Sequence, residues 1–337
     1  MTAARTISIE AGSGGRAGRD LVEELILPRL NNRFLLPLPD AAVLDPIPGR
    51  LAFTTDSFVV SPLFFPGGDI GKLAVCGTIN DLAAAGARPL YLSCALIIEE
   101  GLETAILEKV VSSIARTAKR AGVLVVTGDT KVVERGAADG LYLNTAGIGT
   151  VPAGVNLSPA RPRPGDAVIL SGPPGEHGLA ILAAREKLSV SPQLKSDCRP
   201  LHSLAAAMIA SGADLKFIRD PTRGGLAAVL NELVGPAKFG VEIEEKLIPR
   251  RGKFRAALEI LGLDPLALAG EGLLCAVASP ADAGRVVAAM RKDPAGKMAR
   301  VVGRVTGDHR GRAVLKTEAG GERIIDWPAG DPVPRIC

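Results

Sequence analysis

Val151-Pro-Ala-Gly-Val-Asn-Leu-Ser-Pro-Ala-Arg-Pro-Arg-Pro-Gly165 divides the chain. Pro152, Pro159, Pro162 and Pro164 each fix φ and remove a backbone donor, so the stretch can form neither a helix nor a central strand. On either side, apolar segments alternate between the periods of a strand and of a helix. Upstream, 50–60, 90–98, 124–127 and 141–150 read as strands, while 73–85 and 104–121 read as helices. Downstream, 167–171, 241–244 and 273–278 read as strands, and 178–186, 203–211, 224–234, 254–262 and 282–292 as helices. A short helix over 20–30, ended by Pro28 and Asn31, precedes them. This predicts an α/β protein of the α+β type, with mixed sheets and helices packed on them. Four parts are expected: an N-terminal segment with a Gly-rich loop (1–45), a first domain (46–155), a C-terminal α/β sandwich (156–326) and a flexible tail (327–337).

A length of 337 residues favours two cores over one. Hydrophobic residues make up 47% and charged residues 23%, as in ordinary globular proteins, and with only 3% aromatics the cores must be aliphatic. The formal net charge of +4 is spread along the chain without a basic block, so no nucleic-acid partner is expected. No apolar run approaches the ~18 residues that span a membrane, and the start Met-Thr-Ala-Ala-Arg carries no apolar export signal. The five cysteines are scattered without metal-binding spacing, which fits a reducing cytoplasm. Cys76, Cys94 and Cys275 lie in apolar runs and read as core, whereas Cys198, among Asp and Arg, could be exposed.

Asp40, Asp56, Asp81, Asp129 and Asp220 each interrupt an apolar segment or end a strand. Singly, each also reads as a cap or turn residue. Together they suggest a shared Mg²⁺–nucleotide site, because buried carboxylates need a partner and Mg²⁺ bridges carboxylates to phosphates. Three glycine-rich pieces can cradle phosphate: Gly12-Ser13-Gly14-Gly15, Gly67-Gly68-Asp69-Ile70-Gly71-Lys72, and Gly224-Gly225. None has Walker spacing, and each also reads as a plain turn. Lys72 and Arg223 would add charge beside the phosphates, although Lys72 also reads as a solvent-facing helix residue. From Trp327 the chain continues Pro-Ala-Gly-Asp-Pro-Val-Pro-Arg-Ile-Cys337. Its prolines favour an extended run with a reach of roughly 30 Å. The thiol at its end can enter a cleft, or it can be incidental on a loose terminus.

These pieces resemble the HypE family of hydrogenase maturation factors, the carbamoyl dehydratases. The resemblance rests on Gly12 to Arg16, Asp40 to Leu44, Thr54 to Ser57, Pro62 to Val75, Asn80-Asp81-Leu82, Gly128 to Val133, Arg219-Asp220, Thr222 to Gly225 and Pro334 to Cys337. The Asp and Gly pieces alone also fit the wider superfamily of aminoimidazole ribonucleotide synthetase, thiamine-monophosphate kinase and selenophosphate synthetase. The resemblance implies a homodimer formed through the N-terminal sheets, with an ATP site near its interface. It implies that a carbamoyltransferase, HypF, loads a carbamoyl group onto Cys337. The enzyme then dehydrates it to a thiocyanate with ATP and Mg²⁺, and the cyano group passes to a HypC–HypD scaffold complex. It implies catalytic roles for Cys337 as tether and for Lys131 and Glu271 as bases, although Glu271 by itself also reads as a loop carboxylate. It places Gly12, Gly14, Gly15, Asp56, Gly68, Lys72, Asp81, Thr130, Thr222, Arg223 and Gly224 around the nucleotide, and Asp40, Asp56, Asp81, Asp129 and Asp220 around the metal. The chain departs from the family pattern at Glu176, Pro221 and Gly270, and the glycine is expected to loosen the backbone beside Glu271. Two other functions compete: phosphoryl transfer to a free small molecule, and a non-catalytic scaffold whose tail docks on a partner.

Overall fold

The computed structural model describes residues 5–12, 15–188, 193–235, 239–330 and 333–337. The chain opens with α1 (Arg16–Asp20), which continues through a π-helical stretch (Leu21–Ile26) into α2 (Leu27–Leu30). Pro28 was expected to end this helix. Instead it is absorbed in the first turn of α2, directly after the wider π turn, where its missing N–H costs least.

The first sheet contains β1 (Arg50–Phe58), β4 (Arg88–Glu99), β5 (Leu124–Val133) and β6 (Leu141–Val151), in the order β1-β6-β4-β5. Only the β4–β5 pair is parallel. β2 (Phe64–Phe65) and β3 (Gly68–Asp69) form a small hairpin that leads into α3 (Ile70–Ala84). α3 and α4 (Thr104–Ala121) pack together, and α3 lies on β1 and β6. α4 ends at Gly122, whose φ of +70° is the left-handed cap that glycine adopts without strain. β5 runs on through Asp129 to Val133, past the short strand expected from its apolar start.

The second sheet is built from β7 (Ala167–Leu170), β8 (Leu215–Arg219), β9 (Gly240–Glu244), β10 (Cys275–Ala278), β11 (Arg300–Thr306), β12 (Ala313–Lys316) and β13 (Glu322–Ile325). Its order is β13-β12-β9-β11-β7-β10-β8. Five helices accompany it: α5 (Glu176–Arg185), α6 (His202–Ala210), α7 (Gly225–Val234), α8 (Gly252–Leu261) and α9 (Ala283–Lys292). Alternate residues of β7 and β10 feed two cores, one shared with α7 and one with α6 and α9.

A third core covers the inner face of the first sheet and extends into α5, α8 and the chain end. Val333 and Ile336 are buried in it, only 1% and 2% exposed. The prolines suggested a free, flexible tail, yet residues 333–337 are docked here. The cause is a set of partners remote in sequence, described below. Cys198 is likewise buried rather than exposed.

Candidate active site

β1 turns alternate side chains inward, and this sets the first acid. Thr54, Asp56 and Phe58 face the helices, while Phe53, Thr55 and Ser57 face out. Asp81, near the C-terminal end of α3, accepts a hydrogen bond from the Thr54 hydroxyl at 2.7 Å. Asp220 follows the end of β8 and is buried. Asp81 and Asp220 line a cleft of about 380 Å³ together with Thr54, Phe217 and Arg219. Burial raises the Asp56 carboxyl to about 6, reinforced by Asp81 and opposed by Arg223. Burial pushes Asp220 up to about 7, with Asp81 and Asp56 adding repulsion. Asp81 is also raised by burial, against the Thr54 hydrogen bond and Arg219.

Glu271 lies within electrostatic reach of Asp220 and Asp56. Burial holds its carboxyl well above the ordinary range, and Cys198, Asp220, Asp197 and Asp56 push in the same direction. Gly270 does not loosen this loop. The Gly270 N–H donates to Pro221 O at 2.9 Å. The Glu271 and Gly272 N–H groups donate to the two carboxylate oxygens of Asp197, each at 3.1 Å. Glu271 O accepts from Arg199 N at 3.2 Å. Asn80 adds a buried amide between α3 and this region: its Oδ1 accepts from Leu201 N at 2.8 Å, and its Nδ2 donates to Arg199 O at 3.2 Å and Glu271 O at 3.4 Å.

The chain end completes the group. Cys337 Sγ lies 3.6 Å from an Arg223 guanidinium nitrogen. Burial pushes the Cys337 thiol up to about 12; Glu271 raises it further, and Arg223 opposes both. Thr222, Arg223 and Gly224 form the turn that starts α7, and Gly224 and Gly225 both have positive φ.

The remaining expected site residues lie elsewhere. Asp129 pairs across β4 and β6 with Ser57, at the opposite edge of the sheet from β1, about 14 Å away at ordinary strand spacing. Its side chain is on the open face, whereas Asp56 faces the helices. Lys131 sits on that open face in an ion pair with Asp129 at 2.8 Å, both more than half exposed. That contact, above all as a hydrogen bond, lowers the Asp129 carboxyl. The Thr130 N–H also donates to Asp129. Gly12 abuts Val132 of β5 so closely that a Cβ would lie 2.3 Å from its nitrogen. Gly15 caps α1, and Gly14 lies outside the described residues. Asp40 is exposed between α2 and β1. Gly68 and Lys72 serve the chain itself: the Lys72 ammonium donates to Gly67 O at 2.7 Å, and Asp69 caps the Lys72 N–H at 3.0 Å. One chain therefore unites Asp56, Asp81, Asp220, Thr222, Arg223, Gly224, Glu271 and Cys337, and holds Gly12, Gly15, Asp129, Thr130 and Lys131 apart.

Sequence reading missed Asp197 and Arg199 as supports, whereas His177 reads from the sequence as a member of the site. Nothing in the spacing of Asp197 and Arg199 marks them, because they act through backbone contacts. Asn80 was visible only as the neighbour of Asp81.

The oxygen donors gathered here are of the kind Mg²⁺ takes, and phosphate oxygens would have to complete its coordination. Asp220 Oδ2 and Glu271 Oε2 are buried with no hydrogen-bond partner, and clustered carboxylate oxygens are what a hard cation takes. Among the described residues, no three His, Cys, Asp or Glu side chains by themselves form a metal-binding group.

Comparison with known proteins defines the class first. Residues 39–151 match the AIR synthase related protein N-terminal domain, and residues 163–316 match the C-terminal domain of the same family. Within that class, the chain is 48% identical over 332 residues to carbamoyl dehydratase HypE of Azotobacter vinelandii, covering 98% of this chain and 97% of the relative. It is 43% identical to carbamoyl dehydratase HypE of Escherichia coli, covering 98% and 99%. Its structure superposes on that of the hydrogenase maturation protein HypE in complex with ATP with a TM-score of 0.95 at 44% identity, covering 98% of this chain and all of that one. The chain belongs to the HypE carbamoyl dehydratase family.

Proposed function

We propose that this chain is a carbamoyl dehydratase of hydrogenase maturation. In this reading it converts a thiocarboxamide carried on Cys337 into a thiocyanate at the expense of ATP. The observation that carries the reading is the docked Cys337 sulfur beside Arg223, within the field of Glu271 and Asp56. The ATP complex of the HypE relative supports the nucleotide.

The reaction balances as follows. The amide oxygen of Cys337–S–C(=O)–NH₂ takes the γ-phosphoryl group of ATP and leaves as phosphate, while nitrogen gives up both protons to form S–C≡N. Phosphorylation is needed because the amide oxygen is a poor leaving group. Asp56, Asp81 and Asp220 would hold Mg²⁺ together with phosphate oxygens of the nucleotide, and the ion would supply charge neutralisation there. Arg223 offers a fixed cation beside the sulfur-bound carbon, and α7 directs its N-terminal amides toward the same region. Glu271 accepts a proton from nitrogen. Its burial makes it a strong base once ionised.

Cys337 is a tether in this scheme. Burial disfavours the thiolate of the docked sulfur, which argues against its attack on a carbamoyl donor in this position. Loading by a carbamoyltransferase therefore requires the tail to leave the cleft. A solved HypE–HypF complex of a relative, at TM-score 0.80 and 43% identity, supports HypF as that partner. A HypC–HypD scaffold would receive the cyano group, and we place these events in the cytoplasm.

The second residue group points to a homodimer. Leu51 and Phe53 on the open face of the first sheet are 57% and 72% exposed. Pairing two such faces would cover them and present the Asp129, Thr130 and Lys131 group of one chain to the cleft of the other, giving Lys131 access as a second base. In this scheme residues 46–155 bind nucleotide and dimerise, 156–326 close the cleft, and 327–337 deliver the sulfur.

Intact mass and C-terminal peptide mass, measured after incubation with ATP, carbamoyl phosphate and HypF, test the reading. The expected result is a gain of a carbamoyl group at Cys337 followed by loss of one water that depends on ATP. A carbamoylated end that keeps its water in the presence of ATP refutes it.

A further inference from the structure

We propose that His177 is the positioning residue that holds the chain end beside Arg223 and Glu271, acting on the backbone of Ile336 rather than on the sulfur. His177 is fully buried at the start of α5, and both ring nitrogens are engaged. Nε2 lies 2.7 Å from Ile336 O, and Nδ1 lies 2.7 Å from Ser196 Oγ. A carbonyl oxygen only accepts, so Nε2 carries the proton. Nδ1 of the neutral ring then accepts from the Ser196 hydroxyl. The Ser196 oxygen in turn accepts from Cys198 N at 3.0 Å, which leaves its proton free to point at the ring. Phe65 of the β2–β3 hairpin meets the imidazole edge-on, with centroids 5.5 Å apart. Tautomer and ring orientation are therefore set before the tail arrives.

The other anchors explain why this bond matters. Val59 N donates to Cys337 O at 3.0 Å and Ser61 N to Arg335 O at 3.2 Å, so the tail runs antiparallel beside the segment that follows β1. Between them, Ile336 has its carbonyl on His177 and its side chain in the core. Arg335 has a φ of +56°, a left-handed conformation that a non-glycine residue keeps only when its surroundings hold it. Arg185 donates to Ser61 O and, at 2.9 Å, to Arg335 O. The Arg335–Asp139 ion pair at 2.7 Å is largely solvent-exposed and adds little. Of these anchors, the His177 bond comes from a fully buried side chain and reaches the residue next to Cys337. Without it the Ile336 carbonyl stays buried with no donor from this side, and the docked state loses ground to the free one.

Alkylation of Cys337 by iodoacetamide, read by mass spectrometry of the C-terminal peptide in the full chain, measures tail release. The other four cysteines are buried, so background is low. Glutamine places an N–H donor at the Nε2 position, whereas asparagine reaches only the Nδ1 position. H177N is expected to raise the alkylation rate about tenfold, and H177Q to stay within about twofold of the parent. Equal acceleration in both variants would mean a merely structural histidine, and no acceleration in H177N would mean no latch; either result overturns the proposal. S196A, which frees the tautomer, is expected to raise the rate about threefold and carries the test if H177N does not fold. An unchanged rate in folded S196A then overturns it. The proposal rests on the carrier reading of Cys337 only for its effect on turnover. Failure of the dehydration assay refutes that reading and leaves the alkylation result standing.

Discussion

Replacing Asn80 with alanine isolates how much of the Glu271 geometry hangs on one buried amide. The Asn80 side chain is completely buried on α3 and spans the junction between the two sheets. Alanine removes the acceptor of Leu201 N, a 2.8 Å bond, and leaves that buried N–H unpaired, which costs about 1–3 kcal/mol. The contacts to Arg199 O and Glu271 O are longer, at 3.2 and 3.4 Å, and Glu271 O keeps its bond from Arg199 N. They add at most about 1 kcal/mol, so N80A should destabilise by roughly 1–4 kcal/mol in all. Asn80→Asp is the sharper probe. It keeps an acceptor for Leu201 N, yet turns a carboxylate oxygen toward two carbonyl oxygens and adds a buried charge near Asp81. It should cost more than N80A, by roughly 1 kcal/mol or more. Urea denaturation followed by circular dichroism gives both values. Turnover under ATP saturation should fall in N80A because the carbonyl of Glu271 loses a restraint, while the KM for ATP changes little. An N80A chain within ~0.5 kcal/mol of the parent, or N80D as stable as N80A, would refute the bridging role.

Three further outcomes are expected. Gly272→Ala places a Cβ 2.0 Å from Asp197 O, so the loop carrying Glu271 must move; a loss of about 1–3 kcal/mol in denaturation and a larger proportional loss of turnover are expected. Glu176 is buried, with its carboxyl raised to about 7 chiefly by burial and one oxygen unpartnered, despite Arg251 at 2.5 Å. A carboxyl raised in the folded state gives its full stabilisation below the unfolded value near 4.5 and loses it as pH climbs through about 7, a change approaching ~3 kcal/mol. Glu176→Gln should flatten that part of the stability–pH curve. Phe53→Lys on the open sheet face should shift sedimentation from dimer to monomer and lower ATP affinity without lowering the melting temperature of the monomer by more than a few degrees.

Local physics made some elements legible and hid others. α4 repeats apolar residues at helical spacing from Thr104 and stops at a glycine, so its ends were readable from the letters. β11 was not. Its Arg300 and Arg304 break the apolar run expected of a strand. Arg304 is tolerated because Glu242 of β9 lies beside it, 3.0 Å away and 62 positions earlier in the chain. β12 hides in the same way behind Lys316, which reaches the same Glu242 at 3.0 Å. The carboxylates of the cleft were recognisable one at a time, because an acid that ends a strand is conspicuous in an apolar run. Their division into two groups was not, since it depends on the strand order β1-β6-β4-β5 and on which face each strand turns to the helices. The docking of residues 333–337 was hidden for the same reason. Proline content describes the freedom of an isolated segment, whereas its docking is decided by Val59, Ser61, His177 and Arg185.

The electrostatics of the cleft tie these observations to one another. Asp56, Asp81, Asp220 and Glu271 are buried close enough for their charges to interact, and repulsion among them adds to the cost of burial. A divalent cation bound there would relieve that repulsion, so under the proposed function metal–nucleotide binding and ionisation of Glu271 would favour each other by linkage. The same field acts on the docked sulfur in the opposite sense. Glu271 and the loss of water keep Cys337 a neutral thiol, and Arg223 only partly offsets them. Under the proposed function, a sulfur that must become a thiolate to be loaded, yet sits where a thiolate is disfavoured, would meet its carbamoyl donor away from this site. Once carbamoylated it carries no ionisable proton on sulfur, and that obstacle to docking disappears. The cleft therefore discriminates against the thiolate form of the unloaded end and tolerates the loaded one. Under the proposed function, this would give the loading step and the dehydration step separate locations through the charge of the sulfur, with His177 setting how firmly the end is held.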